Sequence, residues 1–197
     1  MAKSTNNIHV ALKRGLLVGA GAFFLAILVT LSAMLLLDYI TSIIVSLILL
    51  SVIVLIGIVF DVIGLASAAA DESPLHAKCT KKVYGAGHAV KLVRNADKTA
   101  VFCSDVIGDI CGTLSGAVGA IIVVRILLEA PTINEVAMGI LMTSVIAAVT
   151  IGAKAFGKYY AVRKATEIMF YTGKILEWME RNLHIKVLGG SVKGRIK

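Results

Sequence analysis

The chain has 197 residues, of which 58% are hydrophobic and only 16% are charged. A water-soluble domain of this size carries a larger share of charge, so the composition indicates an integral membrane protein. Lysine and arginine outnumber acidic residues by 20 to 12, but no nucleic-acid recognition motif accompanies them, and we expect no nucleic-acid partner. In a membrane protein such an excess reports topology and contact with lipid headgroups.

Four apolar segments are long enough to cross a bilayer, which requires about 20 helical residues. They run from Gly15 to Leu37, from Ile43 to Ala70, from Thr99 to Val124 and from Val136 to Phe156. We therefore predict an all-α integral membrane protein in which residues 15–157 form a domain of four transmembrane helices.

The positions of lysine and arginine predict the orientation. They concentrate in a basic arm at residues 1–14, in the connection 71–98 and in the residues after 157, whereas Arg125 is the only basic residue in the two remaining connections. Because basic loops stay on the cytoplasmic side, we expect both termini inside and a multi-pass location in the plasma membrane.

Two of these basic segments have helical patterns. Ser73 followed by Pro74 is typical of a helix start, so short cytoplasmic helices are expected between spans 2 and 3. Residues 158–188 show apolar residues at helical spacing, which predicts a C-terminal amphipathic juxtamembrane helix on the inner leaflet. Residues 189–197 are predicted to be a disordered basic tail. We expect anionic phospholipid as a partner of three cations at the start of the juxtamembrane helix: Lys158, Arg163 and Lys164.

Three carboxylates within the spans carry most of the functional information. Asp61 lies in the second span, and Asp105 and Asp109 lie roughly 9 and 15 Å along the third span at about 1.5 Å per residue. Each charge costs roughly 2.5–3.5 kcal/mol at the centre of a bilayer, so a bound cation, a shared proton or a basic partner is required. If these carboxylates lie at the same depth in the membrane, their oxygen atoms could together form a cation site.

The segment Val106–Asp109 resembles the GxGD motif of intramembrane aspartyl proteases, but the first glycine and the YD partner motif are missing. We therefore do not expect an enzyme. Gly108, Gly112 and Gly116 recur every four residues and predict close helix packing along the third span.

Five short segments follow one another in a definite order: Phe60–Ala66, Ser73–Leu75, Arg94–Lys98, Ser104–Asp109 and Ile151–Ala153. In order and spacing they resemble the motifs FFSxSETAL, RxRL, ENPER, GNxLVN and GEILPK in the transmembrane domain of the cyclin M proteins and the bacterial CorB/CorC magnesium transporters. The resemblance covers about residues 55–185. That domain has three spans, so an additional leading span accounts for the internal N-terminus, and we expect no paired CBS module here.

The resemblance implies Mg²⁺ as the transported ion, with Na⁺ as a candidate coupling ion, and a homodimer. The implied ligands are Asp61, Asp105 and Asp109, with Ser104 and Gly152 supplying hydroxyl or carbonyl oxygen. The sequence also departs from the family, because Gly64 and Ala153 replace two motif glutamates. We therefore predict transport of a divalent cation through an acidic intramembrane site. The alternative is a non-transporting membrane adaptor of the same fold that binds a partner protein or anionic lipid.

Overall fold

The structure is a computed structural model that describes residues 2–40, 42–132 and 134–183, with the side chains of residues 2–11, 14 and 183 excepted. Every regular element within these ranges is helical. The elements are α1 (Ala2–Tyr39), α2 (Ile43–Ala69), α3 (Glu72–Thr80), α4 (Ala86–Arg94), α5 (Ala96–Ala100), a π-helix (Val101–Gly108), α6 (Asp109–Glu129), α7 (Glu135–Arg163) and α8 (Ala165–Leu183).

The four predicted spans are confirmed as helices that are long and apolar enough to cross a membrane: Gly15–Tyr39, Ile43–Ala69, Ala96–Glu129 and Glu135–Arg163. The fourth runs seven residues beyond the predicted boundary at Phe156, because neither Gly157 nor the following residues interrupt the helix. Lys158 and Arg163 consequently belong to α7, and the amphipathic helix begins at Ala165. The predicted tail 189–197 and the last residues of the predicted juxtamembrane helix lie outside the described residues.

The connection between the second and third spans contains two nine-residue helices, α3 and α4. The N-cap of α3 is Asp71 rather than the predicted Ser73, since the Asp71 carboxylate accepts a hydrogen bond of 3.0 Å from the Ser73 backbone nitrogen. Gly85 precedes α4 with φ of 84°, a left-handed conformation that glycine adopts without steric cost. The side of the membrane on which these helices lie stays a prediction.

The chain divides into two compact units, Met1–Ile53 with Thr113–Ser144 and Val54–Gly112 with Val145–Lys197. In the first unit, Arg125 closes the end of α1. Its guanidinium donates hydrogen bonds to the backbone carbonyls of Leu37 and Ile40 and, at 2.9 Å, to Ser46 Oγ. These carbonyls include groups that a helix leaves unsatisfied at its C-terminus, where a positive charge is also favourable.

The second unit has a core that joins the end of the second span and the end of the fourth to the short helices. Its fully buried members are mostly small or aliphatic: Ala66, Leu75, Ala89, Ala161, Ala165 and Met169. Gly173 of α8 faces α4 so closely that an added methyl group would lie 2.7 Å from the Ala89 backbone nitrogen. The helical core therefore fixes α3, α4 and α8 at the ends of the second and fourth spans.

Candidate functional site

Asp61 is the buried carboxylate of the second unit. It is 6% exposed and lies eight residues before the end of α2, about 12 Å along the helix. Oδ1 accepts a hydrogen bond from Ser104 Oγ, and the same hydroxyl lies 3.3 Å from the Asp61 backbone carbonyl oxygen. Oδ2 is buried and has no hydrogen-bond partner among the described residues. Burial without hydrogen bonds is costly for a charged oxygen, so this atom marks the site.

Ser104 is positioned by the π-helix Val101–Gly108. Such segments are rare, and they occur frequently at functional sites, where the wider turn reorients side chains. Here the π-helix includes Ser104 and Gly108, and a methyl group added at Gly108 would lie 3.8 Å from Asp61 Cβ. The π-helix therefore packs directly against the buried Asp61 carboxylate.

Two glycines of α2 allow the third span to approach Asp61. A methyl group at Gly64 would lie 3.0 Å from both the backbone nitrogen and Oγ of Ser104, and one at Gly57 would lie 2.8 Å from Cys111 Cβ. Both distances are shorter than ordinary carbon contacts, so only glycine fits without movement. By contrast, a methyl group at Gly112 or Gly116 would meet nothing within 4 Å among the described residues. The close approach is therefore made by α2 glycines and not by those two glycines of the third span.

Among the described residues, Lys158 of α7 forms an ion pair with Asp61. Its Nζ lies 3.9 Å from Asp61 Oδ2, at the outer limit of an ion pair and too far for a hydrogen bond. The Lys158 side chain is 55% exposed, whereas that of Asp61 is 8% exposed. The ammonium therefore balances the carboxylate electrostatically without occupying the Oδ2 hydrogen-bonding position, and its flexible stem can withdraw towards solvent.

The other predicted metal ligands are not brought to Asp61. Asp105 and Asp109 are both exposed, because each follows by one residue a position that faces Asp61, about a quarter turn further around the helix. Among the described residues, no three His, Cys, Asp or Glu side chains lie close enough to hold one metal ion. The structure thus joins Asp61 to Ser104 and does not assemble the three aspartates into one cluster. Metal binding by Asp105 and Asp109 stays a prediction.

Gly152 is exposed, and a methyl group there would meet nothing within 4 Å among the described residues. Of the predicted lipid-binding cations, Arg163 lies over the Tyr159 ring at 4.5 Å, and Lys164 Nζ is 3.8 Å from Glu167 Oε2. Both are exposed, as lipid binding requires.

Sequence reasoning missed Lys158 as the partner of Asp61. One signal was present, since Asp61 lies eight residues before the end of its span and Lys158 five residues before the end of the fourth span. The predicted four-span topology gives these two spans the same orientation. Comparable depth permits pairing, but only the rotation of the helices decides it. The π-helix had no recognisable signal in the sequence.

Comparison of the chain with protein-family models, curated proteins and solved structures found no match.

Proposed function

We propose that this protein transports a cation across the plasma membrane, with Mg²⁺ favoured, and that the Asp61 carboxylate binds the ion on its passage. The observation that carries the proposal is the Asp61 Oδ2 atom, which is buried in a span without a hydrogen-bond donor among the described residues. A carboxylate at such a position costs several kcal/mol unless a cation or proton offsets it. Intramembrane ionisable residues of this kind commonly mark ion pathways.

Ser104 and Lys158 would have distinct roles in this site. Ser104 donates to Oδ1, which fixes the carboxylate rotamer and leaves Oδ2 directed at the ion. Lys158 Nζ, 3.9 Å from Oδ2, supplies a positive charge that an incoming cation replaces. Mg²⁺ usually retains several waters and is bound through one or two carboxylates, so a single buried carboxylate and a hydroxyl suffice for a hydrated ion. The resemblance of Phe60–Ala66 and Ser104–Asp109 to magnesium-transporter motifs supports the same ion.

The test is ion flux into vesicles that contain purified full-length protein and a trapped magnesium-sensitive dye. Asp61→Asn removes the charge with little change in volume and should abolish most of the flux. Asp97→Asn is the matched control, since it makes the same substitution at an exposed position of α5. Absence of Mg²⁺-dependent flux with the native protein, across physiological concentrations, would overturn the proposal.

The adaptor alternative is favoured by one observation, namely that Lys158 could neutralise Asp61 as a purely structural ion pair. Ligand-dependent melting separates the two readings. A ligand that binds only the folded state stabilises it by about 2.7 kcal/mol at a hundred times Kd. Under the transport proposal, Lys158→Gln removes a competing cation and should enlarge the stabilisation by Mg²⁺. Under the adaptor reading, Mg²⁺ stabilises neither the native protein nor this variant.

The proposed topology places the N-terminus, the connection with α3 and α4, and the C-terminus in the cytoplasm. With the three native cysteines replaced, a cysteine introduced at Thr132 should react with an impermeant reagent applied to intact cells. One introduced at Lys81 should react only after the cells are opened. The opposite pattern would reverse the orientation and the direction of access to Asp61. Dimerisation stays a prediction.

A further inference from the structure

The amphipathic helix α8 has an exposed apolar stripe on the side away from its core. Tyr171, Ile175 and Trp178 are 62%, 60% and 56% exposed. Their spacing of four and three residues places all three on one face of the helix. We call these three residues the α8 stripe. Exposed large apolar side chains in a row indicate a surface that water does not cover.

The opposite face of α8 is already occupied by protein. Ala165 and Met169 are buried in the core with residues of α3 and α4, and Gly173 faces the Gly85 and Ala89 backbone. The stripe therefore cannot be the face by which α8 packs within its own unit. Its occupant lies outside this unit.

Most of the acidic residues of α8 contact α4. Glu177 accepts a hydrogen bond of 2.5 Å from the Gly85 backbone nitrogen, and Glu180 Oε2 is 2.6 Å from His88 Nε2. Two of the three acidic residues of α8 are thus directed at α4. Lys174 Nζ lies 4.6 Å from the Phe170 ring centroid and 5.5 Å from that of Tyr171, so it borders the stripe. Lys164 precedes the helix and is 59% exposed. The third acidic residue, Glu167, is 65% exposed and lies 3.8 Å from Lys164 Nζ. Lys164, Lys174 and Glu167 together leave this side of α8 with a net positive charge.

α8 directly follows a helix that is long and apolar enough to cross a membrane. It begins at Ala165, two residues after the fourth span ends at Arg163. At its first turn, Thr166 Oγ1 accepts a hydrogen bond of 3.2 Å from the backbone nitrogen of Asp71, two residues beyond the end of the second span. Ala66 of α2 and Ala161 of α7 share the α8 core. The helix is tied at its start to the same end of two spans.

We propose that α8 lies in the headgroup region of the membrane, with the stripe buried at the acyl boundary and Lys164 and Lys174 bound to anionic phospholipid headgroups. Tryptophan and tyrosine prefer this depth because they combine an apolar ring with a polar atom. Each basic residue near an anionic surface adds about 1 kcal/mol of attraction. The proposal is independent of ion binding at Asp61.

Trp178 is the only tryptophan of the chain and provides the probe. Full-length protein is reconstituted in vesicles of mixed phosphatidylglycerol and phosphatidylcholine, with lipids brominated near the top of the acyl chain as quenchers. Trp178 fluorescence should be quenched by the brominated lipid and resist acrylamide in the aqueous phase. The variant Trp178→Phe with Phe24→Trp is the positive control, since Phe24 is 70% exposed on an apolar span.

Three outcomes would overturn the proposal. Quenching by acrylamide without quenching by brominated lipid would place the stripe in water. Resistance to both quenchers would show that a protein, either a second copy or another partner, covers it. Brominated-lipid quenching that is unchanged when all phosphatidylglycerol is omitted, and equally unchanged in Lys164→Gln with Lys174→Gln, would refute headgroup binding.

Discussion

A single methyl group at Gly173 tests how α8 is held against α4. In Gly173→Ala the new carbon would meet the Gly85 carbonyl oxygen, and it would lie 2.7 Å from the Ala89 backbone nitrogen and 2.9 Å from Ala89 Cβ. Two of these atoms belong to the backbone and cannot rotate away, so α4 and α8 must separate. Separation weakens the hydrogen bond from the Gly85 nitrogen to Glu177 and the contact of His88 with Glu180.

Two destabilising terms and one stabilising term set the magnitude of the effect. Overpacking costs about 1–3 kcal/mol, and a weakened hydrogen bond to a charged group costs about 1.5–3 kcal/mol. Alanine recovers about 0.8–1.0 kcal/mol of helix propensity relative to glycine. These terms sum to about 1.5–5 kcal/mol, and we expect about 2 kcal/mol because the hydrogen bond is weakened rather than lost. An opening equilibrium would then increase about thirtyfold, since 1.4 kcal/mol corresponds to tenfold.

Thiol labelling of Cys79 measures this opening locally. Cys79 on α3 is partly buried against the core formed with α4 and α8, whereas Cys103 and Cys111 are buried elsewhere on the third span. In Gly173→Ala, labelling of Cys79 should accelerate about thirtyfold if opening is in rapid equilibrium, while Cys103 and Cys111 keep their native rates.

Gly152→Ala is the matched control, because a methyl group there meets nothing within 4 Å among the described residues. It adds the same helix propensity without an overlap, so Cys79 should label at the native rate. Native-like labelling in Gly173→Ala, or equal acceleration in both variants, would refute the close-approach argument.

Two further predictions concern charged groups. The hydrogen bond from Arg94, and secondarily that from His76, lowers the pKa of Glu72 below its ordinary value of 4.5. The folded state therefore gains stability above that value and loses it as the pH falls through the lowered pKa. Glu72→Gln should accelerate hydrogen exchange of α3 at neutral pH, and native protein and variant should converge in acid; a constant difference would contradict this. Arg125→Lys should lower the melting temperature, because one ammonium cannot reproduce the planar fork that serves three acceptors. The cost should be about 1–3 kcal/mol if the Ile40 carbonyl is left unsatisfied, whereas the Leu37 carbonyl keeps its hydrogen bond from the Ile40 backbone nitrogen. An unchanged melting temperature would show that this clamp contributes nothing.

The spans could be predicted from the sequence because bilayer crossing depends on a local property. A run such as Gly15–Leu37 is apolar over enough residues whatever its neighbours are, and all four predicted spans are helices in the structure. Helix ends were less predictable, since they depend on specific capping contacts. Asp71 instead of Ser73 caps α3, and α7 continues to Arg163.

The sequence could identify individual residues of the candidate site, but not which of them contact one another. Asp61 was recognisable from the sequence because a carboxylate in an apolar run is costly wherever the helix faces. Its surroundings were not, because a span of known depth can still rotate about its axis. That rotation, together with the π-helix, brings Ser104 to Asp61 and leaves Asp105 and Asp109 exposed a quarter turn away.

The sequence by itself thus determined four helices that are long and apolar enough to cross a membrane, and an ionisable group in the second of them. Which side chains meet depends on helix rotation and on backbone separation, and these were decided by packing between distant segments. Gly64 against Ser104 and Gly173 against Gly85 are contacts of that kind. These contacts form because a glycine, which has no side chain, lets the backbone of another segment approach closely. Only the tertiary structure determines which segment that is.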